Sequence, residues 1–280
     1  MTVALDLAPA DTHTDAPGLL TSAYRRLVSL CEALEVRVTE PRRMHVVGDC
    51  LTESQDAVEA FVAAEAARIR ENHGHTAPRH VAASRALHDY AWSVGLLMSG
   101  VWYLGRRVPR IVPEDIRVDL ASGAFVLTPG SHLTCLPDDP ATALPGVRTV
   151  VREEDLRAEL RDAVADHMRP VLAAIGPYTR RGSRALWGLV ADDLVSGIWH
   201  LGRVLGEEAA AVRAASDVLP SPVAPYPGGA GFRTLRTADG QEHPTRTRLG
   251  CCMYYTIRPD DACSTCPRTC DAERLRRLGG

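Results

Sequence analysis

Apolar residues recur at helical spacing along most of the chain. Leu20, Tyr24, Leu27, Cys31 and Leu34 fall on one face and predict a first amphipathic helix, with Cys31 as a small buried hydrophobe. Thr52 and Gln55 make a capping box for a second helix, whose Val58, Phe61, Val62 and Ile69 turn toward a core. The stretch 73–80 breaks that helix, and Pro78 suits the start of a third. The third runs to about Leu104, with Leu87, Tyr90, Val94, Leu97 and Val101 at core spacing.

The period then changes. Ile116, Val118 and Leu120 alternate with Arg117 and Asp119, and after Ser122-Gly123 comes an apolar run at 124–128, which reads as a hairpin. Residues 136–147 read as a proline-containing loop. A long helix follows from about Glu153, carrying Leu156, Leu160, Val164 and Met168, with Pro170 expected to kink or split it before Gly176 ends it. Residues 221–231 are too rich in proline and glycine for anything but a loop, and 232–248 read as a hairpin closing on Asp239-Gly240.

Two blocks recur in the same order. Ser84-Arg85-Ala86-Leu87 returns as Ser183-Arg184-Ala185-Leu186, and 99–106 (SGVWYLGR) returns as 196–203 (SGIWHLGR). This reads as the duplication of a helical unit. The expected class is mainly α with small antiparallel β hairpins (α+β). The expected organisation is a flexible N-terminus at 1–17, a first helical unit with a hairpin at 18–130, a second unit at 131–220, and a C-terminal hairpin and metal-binding segment at 221–280.

Composition narrows the chemistry. Of 280 residues, 45% are hydrophobic and 24% charged, enough for a sizeable core and against wholesale disorder. All 32 basic residues are arginine, which excludes a lysine Schiff base and a P-loop lysine. The net charge of −3 argues against a nucleic-acid binder. The longest apolar runs fall far short of a membrane span, and the first residues lack the basic start of a secretory signal, so a cytoplasmic location is expected. From Phe232 onward nine arginines face six acidic residues, a local +3, while the rest carries −6.

Five of the eight cysteines share that basic segment: Cys251, Cys252, Cys263, Cys266 and Cys270. Thiols soft enough for iron–sulfur, zinc or copper(I) form a C-C-x10-C-x2-C pattern. Structural zinc sites usually present two C-x2-4-C knuckles, and only the Cys263/Cys266 pair is one, so the spacing favours a two-iron cluster and leaves zinc open. Cys270 is read as a bystander, and Cys50 and Cys135 as inert.

The segment CCMYYTIRPDDACSTC, with Tyr254, Tyr255 and Pro259-Asp260 between its cysteines, resembles the signature of the FhuF-like ferric-siderophore reductases. The resemblance implies a [2Fe-2S] cluster held by Cys251, Cys252, Cys263 and Cys266. It also implies one-electron reduction of a ferric siderophore, expected to be hydroxamate-type, with release of Fe(II) in the cytoplasm. An electron donor such as a ferredoxin or an NAD(P)H-dependent reductase would then be a partner. The competing readings are a zinc-stapled interaction module and an iron–sulfur sensor or electron carrier that binds no siderophore.

Charge arithmetic singles out Arg233, Arg236, Arg246, Arg248 and Arg258 as candidates to contact the ferric ligand or the donor. Other signals have plainer readings. His73, His75 and His80 suit a polar loop, Trp102 and Trp199 suit core anchors, and Asp192-Asp193 suits an exposed helix face. Arg180, Arg181 and Arg184 precede a helix and could line a pocket.

Overall fold

The computed structural model describes residues 13–40, 48–237, 240–260 and 262–278. The expected flexible N-terminus therefore lies mostly outside the described residues, as does Asp239 of the expected hairpin turn. Helices α1 (Ala16–Leu30), α2 (Gln55–His73), α3 (Arg79–Gly105), α4 (Glu153–Thr179), α5 (Ser183–Val204) and α6 (Glu208–Val218) form the body, and α7 (Asp271–Leu278) follows the cysteines. No helix among the described residues is long and apolar enough to cross a membrane.

Strands are short and peripheral. Strands β1 (Val36–Val38), β3 (Ile116–Val118) and β4 (Phe125–Leu127) form one sheet in the order β1-β4-β3. The expected hairpin is its β3–β4 pair, with Ile116 opposite Leu127, while β1 joins in parallel. Strands β2 (Arg107–Pro109), β5 (Leu133–Cys135) and β6 (Arg148–Thr149) form a second sheet. Strands β7 (Phe232–Arg236) and β8 (Glu242–Arg246) pair antiparallel, Phe232 opposite Arg246. The parallel pairs β1–β4 and β5–β6 depart from the expected antiparallel hairpins: β1 and β4 lie far apart in sequence, and β5 and β6 are joined by the loop at 136–147, so no tight turn announces either pair.

Helix α3 is the centre. From Ser93 to Trp102 every residue is buried, the signature of a helix covered on all sides. It packs on α2, α4 and α5. The α3–α5 crossing is close because glycines face backbone: a Cβ on Gly95 would lie 3.4 Å from Leu194 Cα, and one on Gly197 would lie 3.3 Å from Leu96 Cβ. The repeated blocks sit on these same two helices. Their spacing differs by two residues inside continuous helix, a rotation of about 200°. The Ser-Arg-Ala-Leu blocks and the Ser-Gly-x-Trp blocks thus cannot both occupy matching faces of α3 and α5.

Local signals moved by small amounts. The cap of α2 is Ser54, whose hydroxyl accepts from Ala57 N at 3.1 Å, and not Thr52. Helix α1 starts earlier than expected, at a cap where Asp15 Oδ1 accepts from Gly18 N at 2.9 Å. The larger correction is α4, which runs through Pro170 and past Gly176 to Thr179. Pro170 faces outward, while Leu160, Val164, Met168, Val171 and Ile175 form one buried stripe, so tertiary packing outweighs the lost backbone bond.

One buried pair carries a pH dependence. His167 on α4 donates from Nδ1 to Ile111 O at 2.9 Å, and its Nε2 accepts from the Tyr90 hydroxyl at 2.9 Å. Burial lowers the imidazole from 6.5 to about 4. The folded protein therefore holds it neutral while the unfolded chain protonates it below pH 6.5. Stability is full above that value, and about 3 kcal/mol is expected to be lost as pH falls to 4. Urea unfolding across this range should show the loss in the wild type and its absence in His167→Gln.

Candidate metal centre

The C-terminal segment is fixed to the body by a buried charge cluster on α5. Asp192 and Asp193 are fully buried, which corrects the expectation of an exposed face. Asp192 Oδ1 accepts from Arg246 Nη2 at 2.7 Å, and its Oδ2 accepts from the backbone N–H groups of Leu249 at 2.7 Å and Gly250 at 2.6 Å. Arg246 also donates to the Asp192 carbonyl and to Ser196 Oγ, each at 2.7 Å. Asp193 Oδ1 accepts from Arg248 Nη2 at 3.1 Å, and His88 Nδ1 of α3 lies 2.7 Å from the same oxygen.

Burial raises the Asp192 carboxyl against the pull of Arg246 and Arg248. Burial also lowers Arg246, to about 10, so the guanidinium stays charged at neutral pH. Gly250 then lies flat on α5, where a Cβ would come within 2.8 Å of Leu189 N and Cα. The residues just before the double cysteine are thus docked by backbone contact, not by side-chain packing.

The double cysteine leaves this anchor and turns at Met253, in the left-handed region at φ 66°. That turn directs Met253 N toward Cys251 Sγ at 3.4 Å. A short 3-10 turn, Tyr254–Thr256, packs on α3. There the Arg85 guanidinium lies 5.2 Å from the centre of the Tyr254 ring, and the His73 ring stands edge-on to it at 6.0 Å. From the other side, Arg274 of α7 donates to the carbonyls of Cys266 and Arg246 at 2.8 and 3.3 Å, joining the second pair of cysteines to β8.

Cys251, Cys252, Cys263 and Cys266 line one small pocket, closed by Tyr254, Tyr255 and Arg248. Cys252 and Cys266 are buried, whereas Cys263 is exposed as a residue. Cys270 is exposed and does not line the pocket. Burial raises the thiols of Cys251 and Cys263, and Arg248 works against it at Cys263. Two arginines feel the thiols. Burial opposes the charge on Arg85, but Asp89 and Cys252 outweigh it and raise its pKa. At Arg248 burial is likewise outweighed by Asp193, Asp192, Cys263 and Cys252.

Other expected residues lie elsewhere. Arg246 is only 1% exposed and Arg248 8%, so neither offers a free surface charge, and Arg246 cannot reach a ligand without abandoning Asp192. Arg233 pairs with Asp271 and Arg236 with Glu242, both at the surface, and Arg258 is exposed. Cys31, Cys50 and Cys135 are buried away from the pocket, and burial pushes the Cys135 thiol up to about 11. Trp102 and Trp199 are both buried. The sequence reading missed Arg85, His88 and the role of the Asp192-Asp193 pair. The available signals were the repeated Ser-Arg-Ala-Leu block and two adjacent acids inside an apolar helix.

Beside the thiol pocket lies a cavity of about 490 Å³. Arg248 lines both, and Ser264 and Thr265, the two residues between Cys263 and Cys266, form part of the cavity wall.

Four soft thiols line one pocket beside Arg85 and Arg248, whose charge favours thiolates, a donor set that fits a [2Fe-2S] cluster. Residues 248–268 match the sequence family described as FhuF 2Fe-2S C-terminal domain. No curated protein matches the chain.

Proposed function

From a FhuF-like C-terminal segment, whose cofactor is a [2Fe-2S] cluster, we propose that this protein is an oxidoreductase that reduces a ferric siderophore. Cys251, Cys252, Cys263 and Cys266 hold the cluster. When bound, the cluster supplies one electron at a time. A siderophore holds Fe(III) with hard oxygen donors, and that preference weakens sharply once the ion is Fe(II), so no acid–base constellation is needed for release. The reaction belongs in the cytoplasm, with a ferredoxin or an NAD(P)H-dependent reductase as donor. The duplicated helical body, units 18–130 and 131–220, provides the binding surface, and segment 221–280 provides the redox centre.

One observation carries this reading: the loop between Cys263 and Cys266 is also the wall of a ligand-sized cavity. A centre built only to staple the tail needs no such neighbour. The roles of the chain's own residues follow. Asp192 fixes the approach to Cys251, Arg248 and Arg85 offset thiolate charge, and the buried Cys252 and Cys266 keep water from half of the ligand set.

Anaerobically purified protein is expected to be brown, with about two irons per chain and an S = 1/2 signal after dithionite. Ferric hydroxamate added to the reduced protein should then reoxidise it with saturation. A colourless protein with one zinc that fails iron–sulfur reconstitution would refute the reading in favour of a zinc-stapled module. Reoxidation without saturation would favour a simple electron carrier.

Arg85→Ala supplies a second test. Removing a positive charge beside Cys252 should make the reduction potential more negative by tens of millivolts. A potential unchanged from wild type in a redox titration would show that Arg85 does not act on the cluster.

A further inference from the structure

The cavity beside the thiols has a chemistry of its own. It lies between α3 and α5, with Trp92 and His88 from α3 and Trp199, His200 and Arg203 from α5 on its walls, and Arg68 of α2 across it. Trp92 and His200 meet edge to face at 5.6 Å. Arg203 is 61% exposed, its guanidinium 5.9 Å from the Trp199 ring and 3.9 Å from Glu208. That pair is long and water-screened, so the guanidinium is available to a ligand at little cost. Hydroxyls of Ser93, Ser196, Ser264 and Thr265 add further donors.

Two acids, Glu35 and Asp89, also line the cavity. Asp89 is already engaged by Arg85 at 2.9 Å. Around Glu35 the walls thus present more hydrogen-bond donors and aromatic faces than carboxylates. Two lining side chains are held on a buried carboxylate: Arg248 on Asp193 at 3.1 Å, and His88, whose Nδ1 lies 2.7 Å from the same oxygen.

We infer that this cavity is the binding site for the ferric chelate, and that it takes complexes presenting outward-facing oxygen acceptors, such as hydroxamate or carboxylate oxygens, on a neutral or anionic body. The inference rests on the proposed reductase function and relocates its substrate from the C-terminal arginines to the α3–α5 cleft. Arg203 and His200 donate to the ligand oxygens, Arg68 is kept in place by Glu65 at 2.8 Å, and Trp92 and Trp199 cover the ligand's apolar faces. A cluster held by Cys251, Cys252, Cys263 and Cys266 would supply one electron to the bound Fe(III), with Ser264 and Thr265 forming the wall between the two sites. No bond to the protein forms, and the electron is restored by an external one-electron donor.

Binding is read independently of turnover with the redox-inert gallium(III) complex of ferrichrome, a neutral trihydroxamate, by calorimetry on the cluster-loaded protein. Its ferric complex is followed in parallel by quenching of tryptophan fluorescence. Arg203→Glu and Trp92→Leu are expected to weaken binding of both complexes at least tenfold while the visible and EPR spectra stay unchanged. Arg152→Glu, the same charge reversal at a 73% exposed position outside the cavity, should leave affinity within twofold. Unchanged affinity in both cavity variants, with ferrichrome still reoxidising the reduced cluster, would overturn the site and leave the reductase reading standing. Loss of affinity in Arg233→Glu or Arg258→Glu instead would return the ligand to the C-terminal face and overturn the site likewise. Ferrichrome that neither binds the wild type nor reoxidises its cluster would overturn the function and the site together.

Discussion

Asp192→Ala is expected to lower stability by about 3–5 kcal/mol and to release the C-terminal segment from α5. The carboxylate is fully buried and accepts from three donors: Arg246 Nη2, Leu249 N and Gly250 N. Removing it strands a guanidinium that is 1% exposed and leaves two backbone N–H groups without an acceptor. The pair lies out of water, so screening does not reduce the cost as it would at the surface. Asp192→Asn keeps a carbonyl oxygen for the two backbone donors but loses the charge and sets an amide NH2 against Arg246 Nη2, so it should be destabilised as well. Urea unfolding followed by circular dichroism measures the effect, and iron content of the same samples reports the attachment of the segment. An alanine variant with an unchanged midpoint and full iron would disprove the anchoring role.

Cys252→Ser is expected to abolish the visible absorption of the cluster or shift it strongly, with the helical fold intact. Cys252 is 6% exposed, lines the thiol pocket and raises the pKa of Arg85 through its charge. A serine oxygen there is a harder and poorer iron ligand than a thiolate. The helices α1 to α6 bury their own faces without the cluster, so the far-ultraviolet spectrum should not change. Cys270→Ser is the matched comparison, since Cys270 lies outside the pocket and should leave absorption and iron content at wild-type levels. A Cys252→Ser protein with an unaltered visible spectrum would remove that residue from the ligand set.

Much of the fold was legible because its causes are local. The apolar stripes of α2 and α3, the alternation at 116–118 and the Pro/Gly loop before β7 each state their own structure. The errors arose where a distant partner overrode a local rule. Pro170 should break a helix, but the buried stripe of α4 holds it continuous. Strands β1 and β6 are three and two residues long, and each exists only because a strand beyond a loop or further along the chain is there to pair with it.

The candidate centre divides in the same way. The cysteine spacing lies within 16 residues and was readable at once, because thiols brought together by one short segment need no tertiary help. The arginines were misjudged for the opposite reason. Counting charge cannot tell Arg246, sealed against Asp192, from Arg236, which stands at the surface beside Glu242. Arg85 lies more than 160 residues before the cysteine it touches, and only the packing of the 3-10 turn on α3 brings them together.

The sequence by itself determined the helical class, the soft-ligand chemistry of the C-terminal cysteines and the exclusion of lysine-based catalysis. Each of these follows from residue type and short-range spacing. Only the tertiary structure decided which charges are buried, which arginines stand beside the thiols, and that a donor-rich cavity shares a wall with the cysteine loop. Those properties depend on which helix covers which face. That is set by the close α3–α5 crossing and by the dry interior in which Asp192 and Asp193 find their only partners among the described residues, and spacing along the chain does not encode it.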